Sequence, residues 1–362
     1  MKIQVLCIFG GCSLEHEISI LSALSLFEEE FQHYDLIPLY IDKNHKWYSG
    51  ELLKQRECYI QKEYQHLNEV CLKKRKNQLY LYEKGFLRRK KKIDMILPLI
   101  HGKNGEDGSI QGYFNMLQIP YVSPSLQTCA LAHDKGIMKY ILQEKGISVV
   151  PFFEIHKDDN IDEALYEKTK RLKYPLIIKP TGAGSSIGIQ IVNNVYEFKE
   201  ALTEAFQYDE HIIVEKYYAN VKEYHGAIIK NGNKMKISQI EEIKRHDDIF
   251  SFDEKYIKDR KNEWVQPHIA SELYEQIHQL LMQCAYAIRL EGMVRIDFLY
   301  IEDTLYVNEI NVIPGSLAKH LWKPQMNMDE FFHHLMKIAY QQYDKSFTPN
   351  INIDFQLLHH KK

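Results

Sequence analysis

Four side chains toward the C-terminal end of this 362-residue chain have the types and spacing to hold a cation beside a reacting oxygen. From Met293 to Gly315 the sequence reads M-V-R-I-D-F-L-Y-I-E-D-T-L-Y-V-N-E-I-N-V-I-P-G. Two β-branched, aromatic runs flank Glu302-Asp303-Thr304, which predicts a hairpin with a three-residue loop. Period-2 alternation puts Arg295 and Asp297 on one face of the first strand, and Glu309 and Asn311 on one face of the second. A turn centred on Asp303 sets Asp297 opposite Glu309 and Arg295 opposite Asn311. Burying three such oxygen-bearing groups beside one guanidinium is costly unless an ion joins them. Asp, Glu and Asn oxygens suit a hard cation, and Mg²⁺ on substrate phosphates is the common case. Taken alone, the same residues also describe a solvent-facing hairpin with a salt-bridge ladder.

Further candidates lie upstream. Leu176-Ile177-Ile178-Lys179-Pro180 is an apolar strand ending in a lysine, followed by Thr181-Gly182-Ala183-Gly184-Ser185-Ser186-Ile187-Gly188. The ammonium can neutralise phosphate and the glycines let backbone N–H groups wrap its oxygens; a flexible hairpin tip is the alternative. Ile212 to Tyr218 is a strand ending in Glu215, Lys216, Tyr217 and Tyr218, a polar–aromatic cluster suited to adenine and ribose, with Glu223 at the start of the next strand. His101 to Gly108 is a glycine-rich polar loop at the end of the strand Ile93 to Ile100, the usual place of a ligand loop in an open α/β sheet. Asp107 there can equally cap the helix that starts near Ser109. Near the N-terminus Gly10-Gly11 gives a tight turn, and Glu15 and Glu17 either approach a ligand or favour the helix macrodipole.

The elements that position these groups follow from periodicity. Lys2 to Phe9, the glycine turn and a helix from about Glu15, with Ile18, Leu21, Leu24 and Phe27 on its apolar stripe, begin a βαβ unit. Trp47 to Lys92 reads as polar and irregular apart from a hairpin near Leu79 to Phe86. Its basic runs, Lys73 to Lys76 and Arg88 to Lys92, read as solvated edges because they lack aromatic interleaving. Ser125 caps one helix and Asp134-Lys135 opens a second whose stripe is Ile137, Met138, Ile141 and Leu142. Ile240 to Trp264, containing F-S-F-D-E-K-Y, reads as a functional loop or lid. Helices are predicted from Ser271 to Gly292 and near Asp329 to Gln342. Hydrophobic content of 45%, charge of 26% and a net charge of −3 describe a globular chain without the electrostatic footprint of a nucleic-acid binder. Six scattered cysteines suit a reducing compartment. Without a signal-type segment or a long apolar run, the expectation is a cytoplasmic protein with no membrane partner.

The ordered set G-G-C-S-L-E-H-E, H-G-K-N-G-E-D-G-S-I-Q-G, I-P-Y-V, H-D-K, I-I-K-P-T-G-A-G-S-S-I-G, V-E-K-Y and V-R-I-D-F…N-E-I-N-V-I-P-G resembles the D-alanine–D-alanine ligase family of ATP-grasp enzymes, from residue 2 to about 340. The resemblance implies α/β and α+β architecture: an N-terminal Rossmann-like domain (1–124), an ATP-grasp central lobe (125–214), a C-terminal lobe with lid and metal site (215–345) and a polar tail (346–362). It implies ATP as cofactor, held by Lys135, Lys179, Ser185, Ser186, Glu215, Lys216, Tyr218 and Glu223. It also implies two Mg²⁺ ions, replaceable by Mn²⁺, on Asp297, Glu309 and Asn311. Glu15 matches the carboxylate that holds the first substrate's ammonium, with His101 in the same site. Ser185 and Tyr256 match groups linking loops to Glu15, and Lys255 matches a lid lysine. Arg295 and the Gly315 backbone match the group that stabilises the tetrahedral intermediate. His320 stands where the family places a serine for the second substrate's carboxylate, next to Leu321, so the departures from the family fall on that pocket.

The implied reaction joins two D-alanines through an acyl phosphate, giving D-alanyl-D-alanine, ADP and phosphate for peptidoglycan precursors, in a homodimer. Two other readings stay open: a ligase with a different second substrate (D-serine, a hydroxy acid or another amine) and a non-catalytic nucleotide-binding paralogue.

Overall fold

The computed structural model describes residues 2–85, 90–182, 184–243 and 269–346. Its first part contains strands β1 (Ile3–Gly10), β2 (Tyr34–Ile41), β3 (Trp47–Ser49), β4 (Val70–Arg75), β5 (Gln78–Glu83), β6 (Lys90–Ile93) and β7 (Met95–Pro98). β1 is apolar and buried from Val5 onward, so it runs through the middle of a sheet ordered β3-β2-β1-β7. It pairs in parallel with β2 on one side and β7 on the other. The winding therefore reverses between β1 and β7, and the loops beyond their carboxyl ends carry Glu15 and His101 into one crevice.

The stretch expected to be irregular holds a second, antiparallel sheet, β4-β5-β6. Its inner face contributes Val70, Leu79, Leu81 and Ile93 to the core beneath β1 and β7. On its outer face Lys73, Arg75 and Lys90 lie over the rings of Tyr80 and Tyr82. Lys73, Arg75 and Lys90 are exposed, as solvated edges would be, and strand pairing, invisible to local sequence, adds the rings beneath them.

Strands β8 (Phe152–His156), β9 (Leu176–Pro180), β10 (Gln190–Val192) and β11 (His211–Lys216) form an antiparallel sheet ordered β10-β9-β11-β8. The last sheet contains β12 (Lys222–Asn231), β13 (Lys234–Ile237), β14 (Glu241–Ile243), β15 (Gly292–Ile301) and β16 (Thr304–Asn311). Its order is β13-β12-β15-β16, with β14 also on β12. Helix Ser271–Ala287, shorter than expected, buries Ile277, Leu281 and Cys284 against it. Helices Leu126–His133 and Lys135–Glu144 are capped by Ser125 and Asp134 as expected, and their Cys129, Met138 and Leu142 join this same core. Ile137 is instead 45% exposed, because the helix docks on its Met138 and Leu142 side. The final helix, Met328–Ser346, returns to the first sheet, where Phe331 and Phe332 pack with Leu26, Phe31 and Tyr34.

The β15–β16 hairpin reaches the predicted register by a different route. Its loop has two residues, not three: Ile301 pairs with Thr304, and Glu302 and Asp303 take φ of +47° and +61°. Both central residues at positive φ match the twist of the flanking strands. Continued regularly, that turn would place Asn308 opposite Asp297. A bulge intervenes: Phe298 pairs with Val307, Asn308 is skipped, and Asp297 faces Glu309 while Arg295 faces Asn311. Among the described residues, no helix is long and apolar enough to cross a membrane.

Candidate active site

A cleft of about 550 Å³ collects residues from the helix and loop that follow β1 and β7, the glycine-rich loop after β9 and the β15–β16 hairpin. On the hairpin side Asp297 is 1% exposed, so the face is no solvated ladder. Arg295 forks onto it, Nε to Oδ1 at 2.7 Å and an Nη to Oδ2 at 2.8 Å, and the Asn311 amide donates to Oδ2 at 3.1 Å. Burial acts to raise the Asp297 pKa, but the Arg295 and His225 charges outweigh it and hold the carboxyl below its usual range. Glu309 and Asn311 line the same wall.

His225 on β12, paired opposite Asp297, was not singled out in the sequence. Its Nε2 lies 2.9 Å from Glu223 and 3.6 Å from Asp297, and its Nδ1 lies 3.2 Å from Glu241. Burial disfavours the charged ring, yet these carboxylates raise its pKa to about 9. Both ring nitrogens then donate. Glu223, His225 and Asp297 are near enough together to hold a metal, for which the ring would have to give up a proton; protonated, it is their counter-ion. The signal that could have found it is positional: Glu223 and His225 alternate along a strand that pairs with β15.

Across the cleft Glu15 precedes helix His16–Phe27 and is 8% exposed. It accepts from Ser185 Oγ at 2.5 Å. Burial and then the neighbouring Glu106 carboxylate raise its pKa. A Cβ on Gly184 would stand 2.6 Å from its oxygens and one on Gly102 2.7 Å, so both loops can close on this carboxylate only as glycine. Ser185 and Ser186 are themselves left-handed, at φ +54° and +62°, a conformation that stores strain. His101 meets Ser22 Oγ at 2.9 Å through Nε2 and lies 3.8 Å from Glu106 through Nδ1. Asp107 accepts from the Ser109 amide at 2.9 Å, but the helix cap is Gly108, so Asp107 shapes the turn before the helix rather than capping it.

On the β9–β11 side Lys179 donates to Glu215 at 2.6 Å, and a third group, Lys139, approaches the other oxygen of Glu215 at 2.9 Å. Burial acts to raise Glu215, but Lys139 and then Lys179 bring it down to about 2. Lys135 reaches the Thr181 carbonyl at 3.2 Å. Lys216 turns its ammonium onto the carbonyls of Lys173 and Tyr174, at 2.8 and 3.1 Å, with the Tyr218 ring 6.0 Å away. Lys139 was missed because a lysine one turn into an amphipathic helix reads as a solvent-facing residue.

Beyond Gly315, whose neighbour Ser316 donates its amide to Ser22 Oγ at 3.1 Å, the segment enters helix Lys319–Trp322. His320 lines the cleft and its Nε2 lies 3.1 Å from the Glu241 oxygen that also meets His225. Lys319 lines the same cleft, but its ammonium is tied to Glu29 at 2.7 Å. The Leu321 side chain is buried in the core, so only its backbone is offered. Lys255 and Tyr256 lie outside the described residues.

Comparison with known proteins gives one consistent result. Family models described as "D-ala D-ala ligase N-terminus" and "D-ala D-ala ligase C-terminus" match residues 4–124 and 141–329. A D-alanine–D-alanine ligase of Thermosipho africanus is 35% identical, with 98% of each chain covered. That of Geobacillus kaustophilus is 31% identical, covering 96% of this chain and 97% of the relative. Among solved structures, the D-alanine–D-alanine ligase of Coxiella burnetii superposes with a TM-score of 0.80 at 25% identity, covering 95% and 97%. The VanG D-Ala:D-Ser ligase of Enterococcus faecalis gives 0.75 at 27%, covering 95% and 100%.

Proposed function

The chain belongs to the D-alanine–D-alanine ligase family of ATP-dependent ligases, and from that premise we propose how its own residues join two D-alanines into a peptidoglycan precursor. The observation that carries the reading is Glu15. A buried carboxylate pressed against Glu106 needs a cation to stay ionised, and it shares one cleft with Arg295, Asp297 and Glu309. An amino acid fits that gap: its ammonium on Glu15 and its own carboxylate toward the hairpin.

A carboxylate is a poor electrophile. The first D-alanine's carboxylate oxygen therefore attacks the γ-phosphorus of ATP, the bond to ADP breaks, and an acyl phosphate forms. The second D-alanine's amine then attacks the acyl carbon, loses a proton and expels phosphate. Lys135 and Lys179 neutralise the phosphates; Ser185 and Ser186 offer loop donors; Glu215, Lys216, Tyr218 and Glu223 receive adenine and ribose. The donor set of Asp297, Glu309 and Asn311 is all hard oxygen, and Asp297 is already held ionised by cationic neighbours, so it fits Mg²⁺. When bound there, Mg²⁺ would offset charge on the transferred phosphoryl group. Arg295, with the Gly315 backbone, serves the oxyanion of the second step. His101 closes the first-substrate site, while His320 and the Leu321 backbone face the second; Lys255 and Tyr256 complete a lid that excludes water. A cytoplasmic homodimer and the three-part division at residues 124 and 214 belong to the same reading.

Glu309→Gln keeps the side chain's shape and removes its charge. The expected outcome is loss of turnover with an unchanged circular dichroism spectrum and melting curve; near-normal activity would refute the metal assignment. A panel of second amino acids scored by phosphate release should rank D-alanine first, and a preference for D-serine would overturn the substrate.

A further inference from the structure

Lys139 has no part in the chemistry above, yet it is 0% exposed, an uncommon state for a lysine. It stands one turn after Lys135 on helix Lys135–Glu144 and points between β9 and β11. Its ammonium lies 2.9 Å from Glu215 Oε1, but neither atom attains hydrogen-bond directions there or with any other described group. The other Glu215 oxygen is held by Lys179 at 2.6 Å. Two buried ammoniums thus share one buried carboxylate, so Glu215 keeps a cationic neighbour when either lysine moves away.

That arrangement poses an electrostatic problem for nucleotide binding. Lys179 must leave Glu215 to meet a phosphate. A carboxylate left buried and unpaired is strongly unfavourable, so Glu215 with a single partner would keep Lys179 clamped. Lys135 is directed instead to the Thr181 carbonyl, and the reading above assigns it to the phosphates as well. We propose that Lys139 is a positioning residue for ATP: it is the fixed counter-ion of Glu215, and its presence releases Lys179 to the phosphates. The proposal rests on reading Lys179 as a phosphate lysine. Lys179 then carries its charge to the phosphates, while Lys139, fully buried, stays with Glu215 and does not touch the nucleotide.

The test is a double-mutant cycle read by calorimetric ATP affinity, with Lys179→Ala as control. Lys139→Met, close in shape, should weaken ATP binding about tenfold or more, the scale of one charged hydrogen bond. It should raise the KM for ATP while kcat at saturating ATP changes less. In a Glu215→Gln background no carboxylate needs a counter-ion, so adding Lys139→Met should change affinity less than about twofold. That double variant removes both Lys139 and its carboxylate, leaving Lys179 as the one ammonium of the three, and is the one to rely on if Lys139→Met alone fails to fold. Equal losses in both backgrounds would mean that Lys139 acts only through packing, and no loss in either would mean that it does not act at all; each overturns the proposal. Unchanged affinity in Lys179→Ala would sink the phosphate-lysine reading itself, and the proposal with it.

Discussion

The raised pKa of Glu15 is a single-residue property that kinetics can read directly. Burial and Glu106 push it up, while the hydrogen bond from Ser185 pulls it down. Only the ionised form holds an ammonium. kcat/KM for D-alanine should therefore fall on acidification, with the limb above the ordinary glutamate value of about 4.3. Removing the donor in Ser185→Ala should move that limb to higher pH, and removing the like charge in Glu106→Gln should move it lower. A limb unmoved by both would dissociate Glu15 from substrate binding. The sign for stability is opposite to that of a salt-bridged carboxylate. The folded state keeps a proton that the unfolded chain releases, so stability falls as pH rises between the unfolded and folded pKa values. Glu15→Gln should consequently melt higher than wild type at neutral pH while losing activity. Such a gain marks a residue kept for function rather than for the fold.

At the scale of elements, the hairpin shows why part of the site was legible and part was not. The pairing of Asp297 with Glu309 could be read because alternation is a local property, and a hydrophobic run reveals which residues share a face. The turn length could not, since Glu302 is an unusual residue for positive φ, and the bulge at Asn308 offset the error. Deleting Asn308 tests this: with the extra residue gone, the two-residue turn and a regular ladder pair Glu309 with Asp297 and Asn311 with Arg295 directly. Turnover should therefore largely survive the deletion, and a folded deletion variant without activity would show that the bulge itself, rather than the register, places the metal set. His225, Glu241 and Lys139 escaped sequence reading for another reason. Each is defined by a partner distant in sequence, such as the 79 positions between Glu241 and His320, and no local period encodes such a pair. The same applies to Tyr80 and Tyr82 beneath the basic strands.

For the whole molecule, the decisive contact joins the chain's two ends. Trp322, Phe331 and Phe332 are fully buried in the core that also holds Val5, Phe9 and Leu26. Trp322→Ala should cost about 3–5 kcal/mol, as large-to-small core changes do. Because Trp322 closes the turn that presents His320, it should also raise the KM of the second substrate; thermal unfolding and steady-state kinetics check the two effects separately. The shared core also has a consequence in time. Phe31 and Tyr34 leave the ribosome roughly 300 residues before Phe331 and Phe332, an interval of about 15–60 s at usual synthesis rates of 5–20 residues per second. Throughout that interval the nascent first sheet presents, uncovered, the apolar flank its last helix will seal. Translation speed and chaperone access, rather than final stability, then govern how many chains reach the folded state.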